Sequence, residues 1–227
     1  MHREFVQDSA KRGTALRILF VILYLFVVPA WAGELAVTVV DAEGHPVPQA
    51  VVTLFPHDRD QAPVLAKGAQ PLVVDQVKET FVPAIQILRP GGTVLFRNSD
   101  RVRHHVYSFS ATRTFEFVLA AGESSPALVL PKVGVITIGC NIHDRMVAYL
   151  FVTDAPYAAL TAEAGTVSFS ELKDGVYTAR IFHPRQRRNP LPSEQEVSVG
   201  AMGAGLRFTL SLLPDRLHDR SPERGGY

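Results

Sequence analysis

The chain has 227 residues, of which 47% are hydrophobic and 20% charged, and its formal net charge is +1. That length suits one or two compact domains, and the composition excludes a disordered chain. The near-neutral balance gives no bulk attraction for nucleic acid.

The first predicted element is an export signal over residues 1–32. Lys11, Arg12 and Arg17 form a basic stretch, Ile18 to Val28 is an unbroken apolar run, and Pro29 leads into Ala30-Trp31-Ala32, a small-residue pattern that predicts cleavage before Gly33. The apolar run is short for an anchor, because a spanning helix needs about 20 residues. Removing residues 1–32 takes away four basic and two acidic groups and leaves 19 basic against 20 acidic, a net charge of −1. No later stretch approaches transmembrane length. The expected location is therefore the periplasm, with no membrane contact after cleavage.

The rest reads almost entirely as strand. Leu35 to Val40 alternates, with Leu35, Val37 and Val39 on one face. A turn-rich stretch, Asp41 to Pro48, leads to Val51–Phe55, and residues 56–70 read as loop. Val73–Val77, Ala84–Leu88 and Thr93–Arg97 are the next strands, the last two separated by the turn Arg89-Pro-Gly-Gly92. His105–Phe109, Thr114–Leu119, Ala127–Leu130, Val133–Ile138 and Val147–Thr153 complete a block. A helical turn is predicted near Ala158–Ala162. Thr166–Phe169, Val176–Phe182, Gln195–Val199 and Leu206–Leu213 follow, and residues 214–227 read as a disordered tail. Many short strands with turns between them predict an all-β chain of sandwich or barrel type.

Cys140 is the single cysteine, so no intramolecular disulfide is available. A lone thiol in an oxidising compartment is a liability unless something occupies it, and a metal bond would protect the thiolate. In Gly139-Cys-Asn-Ile-His-Asp-Arg-Met146, cysteine, histidine and methionine fall at offsets 0, +3 and +6, within a loop short enough to aim all three at one point. Thiolate with imidazole suits copper or zinc, and the thioether favours copper. Two histidines, one cysteine and a weak axial methionine make a blue-copper site, so a second histidine is needed. His104 and His105 both stand in Asn98-Ser-Asp-Arg-Val-Arg-His-His-Val106. Taken singly, each residue has an ordinary reading: a buried cysteine, solvated histidines, a core methionine.

Asn98, then His104 and Val106, followed by Cys140-x-x-His143-x-x-Met146, resembles the cupredoxins, with a loop spacing most like that of amicyanin. The stretch from Phe81 to Thr153 also resembles the plastocyanin-like methylamine utilization proteins. The resemblance implies a Greek-key β-sandwich over residues 70–153 that holds one type 1 copper ion through His104, Cys140, His143 and Met146. It further implies His143 as the surface port for electrons, no catalysis, and a cytochrome or exported dehydrogenase as redox partner. The sequence departs from the pattern in three places. His105 stands where asparagine is common, and its side chain is expected to reach Asn141. Asp144 replaces a proline. Arg101, Arg103 and Arg145 are expected near a metal end that is otherwise apolar in the family. The competing functions are copper delivery without electron transfer, and a metal-free β-sandwich binding module.

Residues 33–60 with 158–213 resemble a smaller carboxypeptidase-regulatory-like or transthyretin-like β-sandwich, carried by Val40 to Leu54, Ala164 to Phe169 and Asp174 to Arg180. This makes a discontinuous module interrupted by the copper domain. The alternative is two consecutive modules with 33–60 in the copper domain. His183 is expected to be structural, and His45 and His57 to be exposed.

Overall fold

The computed structural model describes residues 33–62, 70–187 and 193–214; the expected signal segment 1–32 and the tail from 215 onward lie outside the described residues. The described chain is all β, in four sheets, with one 3-10 turn at Arg59–Gln61. No helix among these residues is long and apolar enough to cross a membrane. In chain order the strands are β1 (Gly33–Asp41), β2 (Val51–Pro56), β3 (Leu72–Gln76), β4 (Phe81–Val82), β5 (Ile85–Leu88), β6 (Gly92–Asn98), β7 (His104–Ser110), β8 (Arg113–Leu119), β9 (Leu128–Leu130), β10 (Gly134–Cys140), β11 (Val147–Val152), β12 (Tyr157–Leu160), β13 (Thr166–Leu172), β14 (Gly175–Phe182), β15 (Glu194–Val199) and β16 (Ala204–Leu210).

Two apolar cores organise these strands. The first lies between a five-stranded sheet, β5-β11-β10-β7-β8, and a four-stranded sheet, β4-β3-β6-β9. It is built from alternating inward residues such as Ile136 and Ile138 of β10 and Val94 and Phe96 of β6, all fully buried. Phe96 stacks on Phe115 at 5.1 Å between ring centres. The second core lies between a three-stranded sheet, β13-β1-β16, and a four-stranded sheet, β12-β2-β14-β15. Leu35, Val37 and Val39 of β1 face it, as their period-2 pattern requires, together with Tyr177 and Phe208. β2 sits between β12 and β14, and its first four residues, Val51 to Leu54, are all buried, Thr53 included.

One expectation is corrected. Residues 157–160 are not a helical turn but β12, paired antiparallel with β2 from Tyr157↔Leu54 to Leu160↔Val51. Alanines at 158 and 159 favour helix locally, but the exposed pairing groups of β2 override that preference.

The chain leaves the second core at the end of β2 and returns to it at β12, so all strands of the first core lie between two neighbours of one sheet. Arg89, in the β5–β6 turn, holds the returning connector. Its guanidinium donates to the carbonyls of Thr153 (3.3 Å), Ala155 and Pro156 (3.2 Å). Phe151 of β11 and Phe182 of β14 meet nearby at 5.3 Å between centres. Arg89→Ala is expected to leave these carbonyls without a donor, cost about 1–3 kcal/mol, and expose residues 153–156 to cleavage in timed limited proteolysis. Cleavage rates equal to the parent's would contradict this role.

Candidate metal centre

The end of β7 and the end of β10 meet because these strands pair antiparallel, Gly139 opposite Tyr107 and Cys140 opposite Val106. That register puts His104, the first residue of β7, beside Cys140, the last of β10. The Cys140–Met146 loop is closed by backbone bonds from Cys140 N–H to Met146 O (3.3 Å), Met146 N–H to His143 O (2.9 Å) and Asn141 N–H to His105 O (3.0 Å). His143 is thereby turned back towards Cys140. Cys140 Sγ lies 3.7 Å from His104 Nδ1 and 3.7 Å from His143 Nδ1. One ligand atom from each of the three residues falls within 4.8 Å of the other two. Met146 is 1% exposed and shares the core that contains Cys140. The His104 side chain is wholly buried, whereas 25% of the His143 side chain reaches solvent.

His105 points to the other face of β7. Its Nε2 is 2.5 Å from Glu116 Oε1, and its Nδ1 is 3.4 Å from Asn141 Nδ2. Of the two candidate histidines, the fold brings His104 to Cys140 and turns His105 away. His45 and His57 are exposed, and His45 pairs with Asp41 at 3.1 Å.

Asp100 was not visible as a site residue from sequence. Its Oδ2 lies 2.9 Å from His104 Nε2, and its carboxylate also accepts from the backbone N–H of Lys78 (2.5 Å) and Glu79 (2.9 Å). Lys78 and Glu79 form the β3–β4 turn, both at positive φ of 53° and 55°. This conformation is unfavourable for non-glycine residues, and here the carboxylate receives both of their N–H groups. Burial pushes the Asp100 carboxyl up, but the Glu79 N–H, His104 and the Lys78 N–H together hold it below its ordinary value. An ionised Asp100 keeps the His104 proton on Nε2 and leaves Nδ1 as a lone pair facing Cys140.

The donor set fits a cation. His104 Nδ1, left as an acceptor by Asp100, and His143 Nδ1 both converge on Cys140 Sγ, which brings one sulfur and two nitrogens together at one point. The three donor atoms stand close enough together that one ion could be held by the sulfur and both nitrogens. Two imidazoles and a thiolate with a nearby thioether are the donors that suit copper. Asp100→Asn is expected to weaken copper binding about 10–100-fold while retaining the thiolate-to-copper band, by freeing His104 to rotate and change tautomer. A competitive copper titration checks this, and unchanged affinity would remove Asp100 from the site.

The sandwich spanning β3 to β11 closes two sheets, with mixed parallel and antiparallel pairs, over one core. No protein-family model matches the sequence, and no curated protein does. Among solved structures, the chain is similar to amicyanin from Paracoccus versutus, with 18% identity and a TM-score of 0.35 over 44% of this chain and 98% of that one. It is similar to a purple cupredoxin from Nitrosopumilus maritimus, at 20% identity and a TM-score of 0.33 over 36% of this chain and 99% of that one. It is also similar to the copper-containing nitrite reductase of Thermus scotoductus SA-01, at 23% identity and a TM-score of 0.36 over 44% of this chain; there it spans 27% of the reductase.

Proposed function

We propose that the chain is an exported type 1 copper protein that carries single electrons between redox partners. The observation that carries this reading is the convergence of two histidine Nδ1 atoms on the buried Cys140 Sγ at equal 3.7 Å separations, at the end of a rigid sandwich. His104, Cys140, His143 and Met146 would hold the ion, which when bound supplies a one-electron couple. The chain's own part is rigidity and access. The β7–β10 register fixes Cys140 and His104, Asp100 orients His104, and the core beneath excludes water. The partly exposed His143 edge gives electrons a short way out. Burial of three of the four donors disfavours delivery, which needs ready ligand exchange. Export rests on the pattern of residues 1–32. We also take the two sandwiches as separate domains, one of them discontinuous.

The test is the visible spectrum and reduction potential of the chain from Gly33 after copper addition. An intense thiolate-to-copper band, a reversible potential and slow loss of copper to a chelator support the carrier. A band with rapid copper loss favours delivery, and a colourless protein with a titratable thiol sinks both.

A further inference from the structure

Resting on the carrier reading, we infer that the metal end docks a redox protein with an acidic contact face, selected by Arg101, Arg103, Arg145 and Lys78. Two large apolar side chains are exposed on the loops that carry the histidines: Val102 at 45% and Ile142 at 51%. Arg101, Arg103 and Arg145 flank them in sequence and are all exposed. Three of the other arginines are engaged: Arg97 binds Asp75 at 2.6 Å, Arg180 binds Glu194 at 2.6 Å, and Arg89 holds three carbonyls. The three at the metal end make no ion pair or side-chain hydrogen bond among the described residues. Lys78 and Arg145 also line a hollow of about 430 Å³ together with His143.

The acids nearby do not cancel them. Asp100 is committed to His104 and two backbone N–H groups, and Glu79 faces His143 at 3.9 Å. Asp144 remains as an exposed opposing charge. Set against Asp100, Glu79 and Asp144, these four cations leave the metal end at +1, while the rest of the chain from Gly33 holds 15 basic and 17 acidic groups, a net of −2. The metal end thus carries a small excess of positive charge beside the His143 edge. Such a field orients an approaching carboxylate-rich surface before contact, and Val102 and Ile142 then supply a small desolvated centre. A polyphosphate chain or lipid surface fits less well, because the cations stand on the same loops as Val102 and Ile142 and are interspersed with Glu79 and Asp144 rather than forming a run.

The test uses the chain from Gly33, with and without copper. The copper(I) form is oxidised in stopped flow by hexacyanoferrate(III), one electron passing from copper(I) to iron(III) to give copper(II) and iron(II). The cationic oxidant tris(phenanthroline)cobalt(III) is run beside it. Replacing Arg101, Arg103 and Arg145 by Gln is expected to slow the anionic reaction about tenfold at low salt and flatten its salt dependence, without slowing the cationic one and with the potential unchanged. Asp144→Asn is expected to do the reverse. Poly-L-glutamate should shift the amide resonances of residues 99–104 and 141–146 in the parent and not in the triple variant. An anionic rate indifferent to the arginines overturns the inference. So does tighter arginine-dependent binding to vesicles of anionic phospholipid than to poly-L-glutamate. If the chain takes no copper but poly-L-glutamate still maps to these loops, the docking surface stands and the carrier reading falls. If copper binds and no shifts appear, the reverse holds.

Discussion

Cys140→Ser is expected to abolish the blue thiolate-to-copper band completely while leaving both sandwiches folded. The band needs sulfur bonded to the ion, and Cys140 is the only cysteine, so no other residue replaces it. Serine keeps one hydroxyl proton to offer His104 Nδ1 at the same place. The metal-free variant should therefore differ from the parent by less than about 2 kcal/mol. The contrast appears on adding copper. A ligand that binds only the folded form stabilises it by about 4 kcal/mol when present at a thousand times its Kd. The midpoint of thermal unfolding of the parent should rise accordingly, and that of Cys140→Ser should barely move. A blue band that survived the substitution would remove Cys140 from the site.

Phe96→Ala should be among the most damaging single changes at residues that do not touch the metal. Phe96 is fully buried at the centre of the first core, against Phe115 and Phe117. Removing a ring from such a place costs about 3–5 kcal/mol, through lost apolar burial and the cavity left behind. Phe208→Ala does the same to the second core. If the two sandwiches are separate domains, calorimetry shows two transitions. Phe96→Ala should lower one and Phe208→Ala the other, and copper should raise only the transition that Phe96→Ala lowers. One transition lowered equally by both variants would mean a single cooperative unit.

Much of this arrangement is legible in the amino acids, for reasons specific to particular segments. β1 and β10 announce themselves because one face of each is buried and the other is not, so Leu35, Val37 and Val39, or Ile136 and Ile138, recur at period 2. β12 was hidden because all four of its residues are half-buried, which leaves no alternation to read, and two of them are alanine. β4 is only two residues long. At the candidate site, the spacing of Cys140, His143 and Met146 is local and so visible. Asp100 hides because its role depends on the β3–β4 turn lying against it across the sheet, a neighbour more than twenty residues away in sequence. The outward turn of His105 follows from strand alternation once β7 is known to begin at His104.

The placement of the first sandwich between β2 and β12 also dictates an order of assembly. As a chain is synthesised from its N-terminus, β1 and β2 emerge with none of their partners β12, β13, β14 and β16 yet made. The strands from β3 to β11 need only one another, so they are free to fold first. Joining β2 to β12 across about 100 unfolded residues would carry a loop-closure cost of about 4 kcal/mol by the logarithmic rule. A folded insert has already brought its two ends together, and β12 can pair with β2 with that cost largely met. The half-built second sandwich must meanwhile keep an apolar strand such as Val51–Phe55 out of intermolecular contacts, which makes the nascent β1–β2 segment the stretch most in need of protection during synthesis.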